Sequence, residues 1–173
     1  MRLPILEDDE IDEEQLSMIE SLGDRNVFRT LANNPDIFDA VSEYVSSLYA
    51  ELPSRERELV ILAVARSFDS EYEWHQHVDI AQLSGISLEK VRGIGGGELD
   101  SFDERERTLI EYVEATCNEE VTDELHGEIT EYYDDSEIVA IGHLVGFYAG
   151  LSKFIRAIDL PLEDEFVGWE PEE

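Results

Sequence analysis

The sequence is poor in cysteine and in lysine. Of its 173 residues one is a cysteine, Cys117, which excludes an internal disulfide and a two-cysteine redox centre within one chain. Lysine occurs only at Lys90 and Lys153. Because affinity for phosphate groups comes from clustered lysine and arginine, this composition excludes a general nucleic-acid binder. It argues equally against binding to an anionic membrane surface.

Long apolar segments and targeting signals are also missing from the sequence. No apolar run reaches the ~18 residues that a membrane span needs. Residues 1–20 are acidic, and they lack the positive and apolar regions of a secretory signal. We therefore expect a cytoplasmic protein without a membrane partner.

Acidic residues are abundant and are spread along the whole chain. Asp and Glu number 43 against 12 Lys and Arg, which gives a formal net charge of −31. A compact state with this charge repels itself in dilute buffer, but at about 1 M salt the Debye length is only ~3 Å and the repulsion is screened. We therefore expect a salt-rich cytosol, as in a halophilic archaeon. The alternative is a mesophilic acidic protein with a basic partner.

The hydrophobic residues, 42% of the chain, come in periodic blocks, which excludes a disordered acidic chain. Their spacing is helical throughout, and no strand or hairpin pattern occurs. We therefore predict an all-α protein. The segment 55–67 is apolar on all sides, so it is predicted to be the buried central helix. The predicted helices cover residues 11–22, 35–48, 55–67, 70–84, 87–94, 103–117, 122–133 and 136–158.

Polar residues and glycines predict where some of these helices begin and end. Ser54 is a candidate N-cap for the central helix. Ser101 with Glu104 has the spacing of a capping box. The glycines at 95–97 have the composition of a phosphate cradle, but no helix beginning with Lys and Ser or Thr follows them, so a flexible loop is predicted.

The candidate catalytic residues are Glu58, Glu73 and His77. Glu73 and His77 are four residues apart and share a helix face that borders the apolar side. Glu58 lies at the start of the apolar helix, where a buried carboxylate needs a partner. A carboxylate–imidazole pair suits acid–base catalysis, and a second, desolvated carboxylate can donate a proton. The three residues are thus predicted to form a proton relay.

Other interpretations of the same residues stay open. Glu58 is also placed to pair with an arginine of its own helix, and Glu73–His77 has the spacing of an ordinary surface pair. No metal site is predicted, because the HExxH pattern is absent and His75 and His77 cannot readily face one ion from a helix.

Three further side chains are candidate substrate contacts: Trp74, His143 and Tyr148. Each of them has an alternative interpretation as an ordinary core residue. Cys117 lacks a convincing neighbouring base, so it is predicted to be a buried thiol.

One resemblance to a known family is carried by the segments 52–65, 71–77, 81–87, 102–107 and 146–148, with Leu160. Together these segments resemble the carboxymuconolactone decarboxylases, which share their fold with the AhpD-like alkylhydroperoxidases. The resemblance covers about residues 35–162. It implies an AhpD-like helical bundle that assembles as a homotrimer or hexamer, flanked by an acidic N-terminal extension with a short helix (1–34) and an acidic C-terminal tail (163–173).

The resemblance also implies a site. The peroxidase branch of the superfamily uses a Glu, a Cys-x-x-Cys pair and a His in one relay. Glu58 and His77 match the Glu and His of that pattern, but the cysteine positions fall on Ser70 and Glu73. Hydroperoxide reduction through an internal dithiol is therefore excluded. The decarboxylase branch is similar in having a carboxylate four residues before the histidine, as Glu73 precedes His77.

The expected function is cofactor-independent acid–base chemistry, decarboxylation or isomerisation, on a small carboxylic acid or lactone. His77 is the expected acid–base residue, Glu58 its orienting partner, and Glu73 a proton shuttle or substrate contact. No metal or organic cofactor is implied. One alternative is an AhpD-like peroxidase or oxidoreductase relative that uses Cys117 or an external thiol. The other is a non-catalytic, ligand-binding oligomer.

Overall fold

The computed structural model describes residues 1–172 and confirms the predicted all-α class. Within that range there are nine α-helices, preceded by a short 3-10 helix at Asp8–Glu10, and no strand. The helices are α1 (Glu13–Ser21), α2 (Asn26–Leu31), α3 (Pro35–Glu51), α4 (Ser54–Ser67), α5 (Glu71–Leu83), α6 (Leu88–Gly96), α7 (Glu104–Asn118), α8 (Asp123–Ile129) and α9 (Asp135–Ile158).

Helix α4 forms the centre of the molecule. Residues 58–65 are at most 1% exposed, and α4 packs against α5, α7 and α9. The prediction of a buried central helix is confirmed. Each Val, Leu or Ile that it buries contributes roughly 1.5–3 kcal/mol of transfer free energy, so the helix that carries Glu58 is held firmly on several sides.

The capping box of α7 lies two residues later than predicted. Asp103 is the N-cap, its Oδ1 accepts a hydrogen bond of 2.9 Å from the Glu106 backbone N–H, and the Glu106 side chain reaches back to the Asp103 backbone. The prediction of Ser101 and Glu104 as the box was wrong. The later start leaves Phe102 just before the helix, where its ring is buried in the core.

Two other predictions about helix ends were also wrong. Ser54 is the first residue of α4 and Pro53 holds the N-cap position, without a side-chain capping bond. Gly95 and Gly96 belong to α6 and do not form a flexible loop. Gly97 ends that helix in the left-handed conformation, with φ of +78°, which glycine adopts at little cost.

The N-terminal region is an integrated part of the fold and contains a helix, α2, that the sequence did not predict. Ile19 of α1 and Phe38 of α3 are both at most 1% exposed and share one apolar cluster. Arg29 of α2 forms ion pairs with Asp8 and Asp24. Residues 1–34 therefore add a wall to the molecule next to α3.

The C-terminal tail packs on its own chain. The Trp169 ring lies 5.3 Å from the Trp74 ring, centroid to centroid, and the Trp74 indole N–H donates a 2.9 Å hydrogen bond to the Gly168 carbonyl. Earlier in the tail, Glu163 accepts a 2.8 Å hydrogen bond from the Tyr72 hydroxyl. The tail is therefore packed against helix α5 of its own chain.

Helix α9 corrects the expectation about membrane-spanning segments. It has 24 residues, and an 18-residue window of it reaches a mean hydropathy of 1.6, with 39% of that window buried. By length and composition alone it is long and apolar enough to cross a membrane. The core helix of a soluble protein meets the same criteria, and α9 packs against α3, α4, α5 and α7.

Candidate active site

A buried carboxylate–imidazole pair joins the two central helices. Glu58 of α4 is 1% exposed and His77 of α5 is 8% exposed, and Glu58 Oε2 lies 2.7 Å from His77 Nδ1. The other Glu58 oxygen is 3.4 Å from Nε of Arg57. Because a carboxylate oxygen accepts hydrogen bonds, we assign the shared proton to Nδ1, which leaves Nε2 to react.

Glu73 lies on the other side of the same imidazole. Its Oε2 is 3.8 Å from His77 Nε2, too far for a hydrogen bond but close enough for a strong charge interaction. Burial raises the pKa of Glu73 to about 7, and the charges of His77 and Arg25 lower it less strongly. The carboxyl group is therefore partly protonated near neutral pH, as a proton donor must be.

Two tyrosines complete the surroundings of His77. The Tyr148 ring meets the imidazole edge to face, with centroids 5.3 Å apart, and its hydroxyl is hydrogen-bonded to that of Tyr49. The Arg57 guanidinium lies 4.1 Å from the centre of the Tyr49 ring. Burial raises the pKa of Tyr49 to about 12 and that of Tyr148 well above its usual value. Both phenols are neutral at pH 7, and the Tyr148 ring packs against the imidazole.

A cleft of about 990 Å³ gives access to these groups. It lies between the N-terminal helices α1 and α2 on one side and α3, α5 and α9 on the other, and Glu73, His77, Tyr49 and Tyr148 all line it. This volume is typical of a site for a small organic molecule. Its walls are largely apolar and include Val27, Phe28, Leu31, Phe38, Val45 and Phe147.

The structure brings together four of the six predicted site residues: Glu58, Glu73, His77 and Tyr148. Trp74 and His143 lie outside the cleft, which corrects their predicted place in its wall. Trp74 follows Glu73 directly, and because successive helical side chains differ by about 100°, its fully buried indole faces the C-terminal tail. His143 is exposed on the outer side of α9, with Nδ1 2.7 Å from the Tyr44 hydroxyl.

Three residues of the cleft were missed by the sequence analysis. Tyr49 reaches Tyr148 across 99 positions of the chain, and no local pattern signals such a contact. Arg25 precedes α2, a helix that was not predicted. Gln76 is held by its 2.6 Å hydrogen bond to Glu163 of the tail, and that contact depends on how the tail folds back.

No thiol lies at the positions where a dithiol relay would need it, since Ser70 and Glu73 stand there. Cys117 of α7 is half-buried, and burial raises the pKa of its thiol, which disfavours the reactive thiolate. Among residues 1–172, no three His, Cys, Asp or Glu side chains are grouped closely enough to hold a metal ion.

Residues 35–115 match the carboxymuconolactone decarboxylase family. The matched segment contains Glu58, Glu73 and His77. The match covers less than half of the chain. No curated protein shows significant sequence similarity to the chain.

Solved structures resemble the chain over nearly its full length. A peroxidase-related protein of Ralstonia eutropha JMP134, described as an alkylhydroperoxidase AhpD core, has a TM-score of 0.85 and 22% identity, over 99% of this chain and 97% of its own. The debrominase Bmp8 in complex with 2,3,4-tribromopyrrole has a TM-score of 0.81 and 19% identity, over 94% and 92%. A peroxidase-related protein of Silicibacter sp. TM1040 has a TM-score of 0.80 and 18% identity, over 96% of this chain and 92% of its own. Such identities show the fold alone.

Proposed function

We propose that this protein is a cofactor-independent enzyme of the carboxymuconolactone decarboxylase type that acts on a small carboxylic acid or lactone. The observation that carries the proposal is the 2.7 Å contact of His77 Nδ1 with Glu58, combined with a partly protonated Glu73 3.8 Å from His77 Nε2. The arrangement provides an oriented base and a proton donor at the end of an apolar cleft.

Decarboxylation of a β,γ-unsaturated acid illustrates the chemistry. The bond between the α-carbon and the carboxylate breaks, and its electron pair forms a double bond between the α- and β-carbons. The electrons of the former β,γ double bond take up a proton at the γ-carbon as CO₂ leaves. In this scheme His77 Nε2 delivers that proton, Glu58 stabilises the imidazolium through Nδ1, and Glu73 returns a proton to Nε2. An isomerisation uses the same groups to remove and replace a proton.

A thiol-dependent peroxidase is the first alternative. The peroxidase-related names of two structural neighbours favour it, but Ser70 and Glu73 supply no dithiol, and Cys117 has a raised pKa. Replacing Cys117 by Ser separates the two functions. The proposed lyase keeps its activity in Cys117→Ser, whereas an enzyme that depends on this thiol loses it.

A non-catalytic, ligand-binding oligomer is the second alternative. It fits the cleft equally well, and it differs from the lyase in having no turnover to lose. Assembly as a homotrimer or hexamer, a cytoplasmic location and a salt-rich host stay predictions. Sedimentation equilibrium in molar KCl measures the first of them directly.

The test is release of CO₂ from 4-carboxymuconolactone in molar KCl, with wild type, His77→Ala and His75→Ala. His75 lies on the same helix but does not line the cleft, so its variant is a matched control. We expect turnover by wild type and His75→Ala. We expect a loss of about 10²–10⁴-fold in His77→Ala, the usual size of an acid–base contribution.

Equal turnover by wild type and His77→Ala would remove His77 from the mechanism. Absence of CO₂ release from folded wild type would exclude this substrate. A proton-exchange assay with other small carboxylic acids would then test the isomerase form, and failure of both assays would favour the ligand-binding alternative.

A further inference from the structure

Arg25 stands out among the arginines of this acidic chain. Each of the other nine arginines donates a side-chain hydrogen bond to a carboxylate, carbonyl or hydroxyl oxygen. The Arg25 side chain makes no hydrogen bond or ion pair with any residue in the described range 1–172. It is half-buried at the start of α2 and lines the cleft. An unpaired, partly desolvated guanidinium in a chain with 43 acidic residues is a strong candidate for an anion-binding group.

We propose that Arg25 binds a carboxylate of the substrate and so selects apolar molecules that carry an acid group, which names the substrate class of the function proposed above and rests on it. A guanidinium presents a planar fork of N–H donors that matches a carboxylate in a two-pronged contact. The residues that follow it, Val27 and Phe28, also line the cleft and provide an apolar surface for the body of the ligand.

The position of Arg25 relative to the reacting groups supports this role. Its charge is close enough to lower the pKa of Glu73, and both residues line the same cleft as His77. A carboxylate held by Arg25 therefore extends its carbon skeleton along the cavity that contains the acid–base pair. In a decarboxylation the carboxylate bound by Arg25 is the one that the product retains. An ion pair to the departing carboxylate would stabilise the ground state more than the transition state and would slow the reaction.

Apart from the buried Glu73 and His77, the other charged groups of the cleft lie at its solvent-exposed edge. They are Asp12, Glu14, Asp39 and Glu43, all of them exposed, and they repel an anionic ligand in dilute buffer. At about 1 M salt the Debye length of ~3 Å screens exposed charges strongly and half-buried ones much less. At this salt concentration the attraction of Arg25 for an anionic ligand is therefore weakened less than the repulsion by the exposed carboxylates at the edge of the cleft.

The region that supplies Arg25 lies outside the segment that matches the family, residues 35–115. The acid–base pair comes from the matched segment, and the anion-binding group comes from the N-terminal region that closes over it. The residue that selects the substrate and the residues that carry out the acid–base chemistry thus come from different segments of the chain.

The experiment is titration calorimetry in 1 M KCl with benzoate and benzamide as probes, which have the same ring but differ in charge. The proteins are wild type, Arg25→Gln, Arg25→Lys and Arg107→Gln. Arg107 is exposed, outside the cleft, and makes one 3.3 Å hydrogen bond, so it is the matched control. We expect benzoate to bind Arg25→Gln at least about tenfold more weakly than wild type, the size expected for one charge-assisted hydrogen bond.

Two further variants and the neutral probe show whether the change in affinity comes from the charge of Arg25. We expect Arg25→Lys to bind benzoate with intermediate affinity, Arg107→Gln to equal wild type, and benzamide to bind all four proteins alike and weakly. Equal benzoate affinity in wild type and Arg25→Gln would overturn the proposal, and so would wild-type binding of benzamide as tight as that of benzoate. Absence of benzoate binding to folded wild type would overturn it as well. If Arg25→Gln does not fold, the benzoate affinity of Arg25→Lys and the comparison of benzoate with benzamide in wild type test the proposal.

This binding experiment is independent of turnover. His77→Ala is expected to retain Arg25-dependent benzoate binding while losing catalysis. Arg25-dependent binding without any turnover by wild type would refute the proposed function and leave the anion site standing. Turnover that depends on His77 but not on Arg25, with unchanged benzoate affinity in Arg25→Gln, would refute the anion site and leave the proposed function standing.

Discussion

Glu58 Oε2 lies 2.7 Å from His77 Nδ1, although the two residues are 19 positions apart and belong to different helices. The central helix α4 carries the carboxylate into the core, and α5 presents the imidazole to it. This contact satisfies a buried carboxylate that would otherwise be very unfavourable, and it fixes the orientation of a histidine that faces the cleft.

The role of Glu58 is tested by Glu58→Gln, which keeps the size of the side chain but removes its charge. We expect the imidazolium to lose its stabilising partner, so that kcat falls by about 10²-fold or more while the protein stays folded. The steady-state rate and the circular dichroism spectrum measure the two effects. Glu71→Gln, an exposed change on α5, is the control and is expected to behave as wild type. Unchanged kcat in Glu58→Gln would show that Glu58 is purely structural.

Glu73 is expected to make stability depend on pH. Burial raises its pKa in the folded protein to about 7 from the ordinary value of 4.5, so the folded state binds the proton more tightly than the unfolded state. Stability from this group is therefore highest below about pH 4.5 and is lost as pH rises through about 7. The full loss is on the order of 3 kcal/mol.

The variant Glu73→Gln tests this prediction, because it removes the titrating group. We expect the free energy of unfolding of Glu73→Gln to exceed that of wild type at pH 8 and to approach it at pH 5, as measured by urea denaturation in molar KCl. A difference between the two proteins that does not change with pH would contradict the raised pKa. The same variant is expected to lose catalytic activity, since it cannot supply the proton.

Gly95 is expected to control attachment of the tail. A Cβ atom at Gly95 would overlap the Trp169 carbonyl oxygen, whereas one at Gly96 would meet only a Glu170 side-chain oxygen at 3.9 Å. We expect Gly95→Ala to displace the tail and to lower stability by about 1–3 kcal/mol through overpacking. Gly96→Ala is expected to be neutral or slightly stabilising. Red-shifted tryptophan fluorescence and faster proteolysis of the tail in Gly95→Ala alone are the readouts.

The net charge of −31 is expected to make stability depend on salt. Added KCl screens the repulsion between acidic side chains, so we expect Tm to rise between 0.1 and about 2 M KCl. Thermal denaturation followed by circular dichroism measures this. Because the hydrophobic effect responds to salt in its own way, potassium sulfate at equal ionic strength is the comparison. A Tm that does not change with KCl would contradict the expected salt-rich host.

The candidate site was predictable only in part. Glu73 and His77 lie on one face of α5, and helical spacing alone places them together. The pairing of His77 with Glu58 required the packing of α4 on α5, and the sequence left an arginine partner for Glu58 equally open. Trp74 and His143 were assigned to the pocket by their residue types, but the rotation of their helices turns them away from it.

The charge, the helical class, the buried central helix and the absence of a dithiol could all be predicted from the sequence, because composition and periodicity depend only on local order along the chain. Three features follow only from helix packing: Glu58 contacts His77, Tyr49 contacts Tyr148, and the N-terminal helices cover the cleft and bring Arg25 to it. These contacts join segments far apart in sequence, and their geometry follows from how apolar helix faces pack against one another. The local sequence pattern does not predict that packing.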